Sequence, residues 1–297
     1  MPQYDFSSYY LNKDLSDVTI VITTNNFSRK SAKRQRCNDQ GHHEELPGHG
    51  IVLANVSQFF KDEIERSHQS GIAKPQIDLR VEPDQVAAAR ALIHFVYRGC
   101  LPDNTNQHLL VNALLLSDTY DTPACASACL AALLSIPLRR LDWQTVQQVF
   151  SLSGWQLQRA SFSLLAEQCL DRLNRDLGDL DAALSCNHMR HQLLDLPFEG
   201  FVRLLADSRT QASYESTVLV ATHNWLIQHP GKCTKLCKQP RPAAIATASS
   251  VYHFWASRVN GAAAGCKEAW QSPLHHLLLY QHYVNTLDLI WKGTLVL

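Results

Sequence analysis

Residues 49–60 read HGIVLANVSQFF. The run opens on a histidine, passes a small Leu53-Ala54 step and ends on two adjacent phenylalanines, Phe59 and Phe60, with charges directly behind them. Leu53, Phe59 and Phe60 recur at near-helical spacing and Ile64 stands four residues beyond Phe60, while Lys61, Asp62, Glu63 and Glu65 fill the other side. Side chains three and four apart share one helix face, so the pattern predicts a short strand entering an amphipathic helix.

The flanks place that helix in a small mixed unit. Upstream, SDVTIVI (16–22) alternates Val18, Ile20 and Ile22 against Thr19 and Val21, the period of two expected of a strand with one buried face. Between them runs a polar, aperiodic stretch that predicts a disordered basic insertion at about 24–46. Downstream, QIDLRV (76–81) alternates again, and Pro83 then sits where a helix's first turn tolerates a missing N–H. That helix turns Val86, Ala89, Ile93 and Val96 inward, and Gly99 is a natural stop just past its end. A helix around Leu109, Ala113 and Leu116 follows, then another with Thr122 as N-cap and Pro123 behind it, closing at Pro137.

From Leu141 to about His229 only helical stripes remain: Trp143, Val146, Val149 and Phe150; Trp155, Phe162, Leu165 and Cys169; Val218, Ala221 and Trp225. Glu215 falls in the first turn of the last of these, where a carboxylate favours the exposed N–H groups. Residues 230–297 begin with an irregular, Pro- and Ala-rich connection and regain helical pattern around Tyr252 and Trp255 and from Leu277 to Ile290. No repeat of fixed period appears, so the expected class is α+β, a small mixed sheet with a helical cluster, followed by an all-α region.

The chain has 297 residues, room for about two domains, and its 27 basic and 27 acidic residues cancel. No global field draws it to nucleic acid or anionic lipid, and no partner of either kind is expected. The N-terminus lacks a basic segment followed by an apolar one, and no stretch is long and apolar enough for a membrane span. Nine scattered cysteines lack the framework of a secreted mini-domain. The expectation is a soluble protein of the nucleus, the cytoplasm or both.

The order strand, loop, HGIVLANVSQFF, strand, IHFVYRGCL, LLLSDTY, CASACLAAL resembles the BTB (POZ) domain over residues 14–136. The positions that carry the likeness are Asp17 before the first strand; His49, Leu53 and Ala54; the pair Phe59 and Phe60; Tyr97 with Gly99; and Leu116, Asp118 and Tyr120. Ser117 stands where that family commonly has alanine, and the basic insertion replaces its usual short hairpin. Residues 141–229 resemble the BACK helical extension, most of all LPFEGFVRLLADSRTQASYESTVLVATHNWL with Glu215 and Trp225, and the combination is similar to plant-type BTB-BACK proteins. The resemblance implies that His49 ends a buried hairpin, that Leu53 and Ala54 pack beneath the sheet and that the phenylalanine pair straddles core and surface.

Chemistry is sparse by comparison. No cysteine stands in a nucleophile elbow and no Gly-rich phosphate loop exists, so no enzyme and no cofactor are expected. Cys125 with Cys129, and Cys233 with Cys237, share an x3 spacing rather than the CxxC pinch of zinc sites, and buried thiols account for them more simply. His42, His43 and His49, or His275, His276 and His282, read as loop, surface and core histidines rather than ligands. The run RKSAKRQR, with Arg29, Lys30, Lys33, Arg34 and Arg36, fits an acidic import groove, a nonspecific contact with nucleic-acid phosphates or a merely solvated loop.

The resemblance also implies a role: a noncatalytic substrate adaptor that docks a cullin-3-type scaffold, dimerises with itself and holds an unidentified substrate protein. The partner-facing candidates are Phe60, Ile64, Glu65 and Tyr120, with Phe60 and Ile64 as apolar anchors rimmed by charge; the alternative is that Phe59 and Phe60 both face the core. Cullin-binding relatives often carry a hydrophobic-x-Glu motif after this helix, whereas Ile64-Glu65-Arg66 and Phe60-Lys61-Asp62 are degraded versions. A nuclear scaffold acting without cullin is the alternative reading.

Overall fold

β1 (Val18–Thr24) is β-branched at every position, which favours extended backbone. In the computed structural model it is the central strand of three, order β2-β1-β3. β2 (His43–Gly48) pairs antiparallel, Val18 opposite Gly48, and β3 (Gln76–Val81) pairs parallel, Thr19 beside Gln76 and Thr24 beside Val81. The structure describes residues 6–24, 42–103 and 105–229, all within one compact unit spanning 1–230. The five basic residues Arg29, Lys30, Lys33, Arg34 and Arg36, the Cys233/Cys237 pair, the histidines at 275, 276 and 282, and the helical patterns beyond 230 lie outside the described residues.

Two expectations are corrected at the sheet. The polar stretch up to about 46 is not all insertion, because its last residues form β2; an edge strand is held by its ladder and needs no apolar alternation. Val21, expected on an open face, is as buried as Ile20 and Ile22, since both faces of the central strand are covered. Gly48 lets the hairpin close over the core: a Cβ there would meet the Ile20 side chain at 3.1 Å and the Leu53 side chain at 3.2 Å.

HGIVLANVSQFF is likewise not a strand running into a helix. It forms two helices, α1 (Gly50–Val56) and α2 (Gln58–Gln69), with His49 at the N-cap position directly after β2. The break falls at Ser57, whose backbone is extended and whose hydroxyl accepts from the Phe60 N–H at 3.1 Å. The same hydroxyl donates to the Tyr120 carbonyl at 2.7 Å, so the kink is fixed by a bond to a residue 63 positions away.

A 3-10 turn at Pro83–Gln85, closed by a Glu82/Gln85 capping box, leads into α3 (Val86–Arg98), which ends on Gly99 at φ 67°, a conformation glycine adopts without strain. α4 (Gln107–Thr119) is capped by Asn106, whose side chain accepts from the Leu109 N–H at 2.8 Å. α5 (Pro123–Leu134) starts behind Thr122, but that hydroxyl donates to the Ser117 carbonyl at 3.2 Å instead of capping the new helix.

The rest is helical: α6 (Trp143–Ser151), α7 (Gly154–Leu157), α8 (Ala160–Leu177), α9 (Leu180–Ser185), α10 (Asn187–Leu194), α11 (Phe198–Ala206) and α12 (Glu215–Gln228). α8 is its axis, burying Phe162, Leu165, Ala166, Cys169, Leu173 and Leu177 along one stripe. Trp155, expected in that stripe, lies on the separate one-turn α7 and is 60% exposed. Trp225 anchors the far end: its indole N–H donates to the Leu196 carbonyl at 2.8 Å, and its ring stacks on Phe201 and His229.

One apolar cluster runs from Val18 through to Trp225, so the mixed unit and the helices share a core. The connection between them is pinned from both sides. Gln168 on α8 donates to the carbonyls of Leu134 and Ile136, Arg172 donates to that of Leu138, and Gln107 on α4 both donates to the Arg140 carbonyl and accepts from the Asp142 N–H.

Candidate protein-docking surface

α2 presents a sharp division between faces. Phe60 is fully buried and Ile64 is 8% exposed, so both expected anchors are core residues, whereas Phe59, paired with Phe60 in the alternative reading, is only half-buried. Periodicity identifies the stripe they share, and here the stripe faces the sheet; burying the two contributes roughly 1.5–3 kcal/mol each to the fold. They are therefore not surface anchors. Tyr120 is also buried, stacked against Phe60 at 6.4 Å, and its hydroxyl donates to the Arg80 carbonyl on β3 at 3.0 Å. Burial pushes its phenol above the ordinary tyrosine value.

What α2 offers solvent is Gln58, Lys61, Asp62, Glu65, Arg66, His68 and Gln69, with Phe59 half-buried beside them. Glu65 is the one predicted partner residue on this outward face. Phe59 touches both Phe60 and Tyr120 edge-on, at 5.7 and 5.2 Å, so an accessible aromatic is backed by two rigid rings. The neighbouring charges are of both signs, Arg66 pairing with Glu63 at 2.7 Å, and Gln58 donates to Asp62 at 2.6 Å. An aromatic rimmed by mixed charge on a firmly seated helix is suited to gripping a protein surface.

The seat is built by the other motif residues. Asp17 accepts the Gly50 N–H at 2.7 Å, satisfying a donor in the first turn of α1 from outside the helix. The His49 Nε2 lies 2.9 Å from the Asp14 carbonyl, which can only accept, so the ring proton is on Nε2 and Nδ1 accepts from the Tyr97 hydroxyl at 3.1 Å. The Tyr97 oxygen in turn accepts the His49 backbone N–H at 2.9 Å. Burial pushes the Tyr97 phenol up to about 12. Asp17, His49 and Tyr97 are thus joints between elements rather than reactive groups.

The sequence could not point to two other features of this region. Leu15 and Ile51, each 81% exposed, flank the Asp17–Gly50 contact, and Leu15 adopts φ 59°. No pattern in the sequence signals a left-handed leucine. Phe59 was legible only as half of a pair, and its partial burial depends on the tilt that Ser57 gives α2.

Among the described residues no group of three or more His, Cys, Asp or Glu side chains could hold a metal ion, and no helix is long and apolar enough to cross a membrane. Cys125 and Cys129 are buried neighbours on α5.

A small sheet roofed by helices, with reactive-type side chains spent on joints and one charged helix turned outward, defines a protein-interaction module. Residues 6–136 match the family model of the BTB/POZ domain, and this part of the chain is a BTB/POZ domain, a module that generally binds other proteins and copies of itself without catalysing a reaction. The helices from α6 onward lie beyond that match. No curated protein matches the chain.

Proposed function

We propose that this protein is a noncatalytic adaptor of a cullin-3-type ubiquitin ligase. The BTB/POZ domain docks the scaffold and a second copy of the chain, while the helices from 141 to 229, read as a BACK-like extension, and the residues beyond them hold a substrate protein. The observation that carries this reading is the outward face of α2, where Phe59, Lys61, Asp62 and Glu65 lie on a helix fixed at both its start and its buried stripe. Such an adaptor accelerates ubiquitin transfer by raising the local concentration of a target lysine, and dimerisation adds avidity. Leu15 and Ile51 are apolar candidates for the contact between copies.

One observation favours a second reading, a nuclear scaffold that gathers partners without cullin. In both degraded hydrophobic-x-Glu stretches the apolar member, Phe60 or Ile64, is buried. The basic run at 29–36 would then act as an import signal.

Association of the full chain with the purified amino-terminal region of cullin-3 separates the two. Micromolar or tighter binding is expected of an adaptor. A folded chain that shows no association ends the adaptor reading in favour of the scaffold, and light scattering on the same sample reports whether the chain is dimeric.

A further inference from the structure

α12 is apolar on two sides. Its inner side buries Ala221 and Trp225, with Val218 packed beside them. Its outer side carries a second stripe: Leu219 and Val220 stand one turn before His223, and Leu226 and Ile227 one turn after it. Spacings of three and four put these residues on one helix face, with Leu226 at the edge, where it also touches the core. α9 and α10 flank α12 and Phe201 stacks on Trp225, yet Val220 is left 49% exposed and Ile227 59%. From Ser216 to Gln228 there is no Asp, Glu, Lys or Arg, whereas α8 turns Glu167 and Arg175 to solvent. A helix that is apolar all round is built to be covered on both sides.

Two features select the occupant. Reversed about His223, the stripe repeats itself, because Leu219 and Val220 answer Leu226 and Ile227. A two-fold contact has that requirement: residue i of one copy meets j of the other, and j meets i. Charge is the second feature. A face that meets its own copy brings every fixed charge against its like, which is costly, and this face carries none. Beside the stripe, α9 and α12 leave a groove of about 210 Å³ bordered by Leu184, Ser216 and Val220, open to an aliphatic side chain arriving from outside.

We propose that the outer face of α12 docks a second copy of this chain. The two helices pair antiparallel across a two-fold axis at His223, and Ile227 of each copy enters the groove beside Val220 of the other. A seam about 21 Å long is smaller than a standard interface, so the association is weak and concentration-dependent. It is separate from any contact made by Leu15 and Ile51, and it needs no scaffold protein.

The test is sedimentation velocity of the full chain across a micromolar concentration series, beside Val220→Asp/Ile227→Asp, His223→Leu and Leu15→Asp/Ile51→Asp. The parent should associate as concentration rises. Val220→Asp/Ile227→Asp should weaken that step at least about tenfold, and His223→Leu, which replaces the polar centre of the seam with an apolar one, should strengthen it. Leu15→Asp/Ile51→Asp should keep the step and lose only association made elsewhere, so the two contacts are read apart. Melting temperatures at the dilute end should match the parent, because Val220 and Ile227 are exposed in the single chain. A parent that is monomeric throughout, association untouched by the α12 variants, or association lost equally in Leu15→Asp/Ile51→Asp overturns the proposal. So does a large fall in the melting temperature of Val220→Asp/Ile227→Asp with no change in association, which would put the seam inside one chain.

Discussion

The BTB/POZ domain and the helices that follow it are held together differently. The first is tied by bonds between residues far apart in sequence: Gly50 to Asp17, His49 to Tyr97, Ser57 to Tyr120, Tyr120 to Arg80. The second is helix on helix, organised by the buried stripe of α8 and by Trp225, where apolar size at helical spacing is most of what is required. A joint needs a particular side chain at a particular place, and a stripe needs only bulk. The family match covers the first of these regions, through residue 136.

The strongest way to break the contrast is to empty the shared core at either end in turn. Phe60→Ala and Trp225→Ala are each expected to cost about 3–5 kcal/mol. Because one apolar cluster spans both regions, thermal unfolding followed by circular dichroism should show a single transition displaced in either variant. Two transitions, with only one displaced, would mean that the regions fold independently.

A joint can be cut without emptying a core. Tyr97→Phe removes the hydroxyl that serves both the His49 backbone N–H and its ring, leaving buried polar groups unmatched, and should lower stability by about 1–3 kcal/mol in urea titrations. No loss would show that His49 is held by packing alone.

The helical region has a polar joint of its own. Arg209 beside Asp207 holds that carboxyl down to about 2, against an ordinary value of 3.8. Because the folded-state value is depressed, its stabilisation is present above about pH 4 and is lost as pH falls toward 2. The contribution is at most about 2 kcal/mol and less with salt, since Arg209 is half exposed. Asp207→Asn should therefore flatten the stability profile between pH 4 and 2, and an unchanged profile would remove this ion pair from the account.

Much of the first region was legible because its motifs are joints. Asp17, His49 and Tyr97 could be placed by residue type and order, and the two apolar-alternating strands by their period. Three things were not. β2 is an edge strand without apolar alternation, so HEELPG resembles a loop until its partner is known. Phe60 and Ile64 mark a stripe, but helical period says nothing about which side the rest of the molecule occupies. Trp155 fits the stripe of α8 by spacing, yet the capping box at Ser153 and Gln156 starts a separate turn that carries it outward. Of the four candidate partner residues, Phe60, Ile64 and Tyr120 are therefore core residues and Glu65 alone lies on the outer side of α2.

The most direct test of the central claim reverses charge on that outer face. The full chain and its Lys61→Glu/Glu65→Lys variant are titrated calorimetrically with the cullin-3 amino-terminal region. Both positions are exposed, so stability should change by no more than about 0.5 kcal/mol. The account predicts at least about tenfold weaker binding by a variant that is otherwise as stable as the parent; equal binding by the two would contradict it.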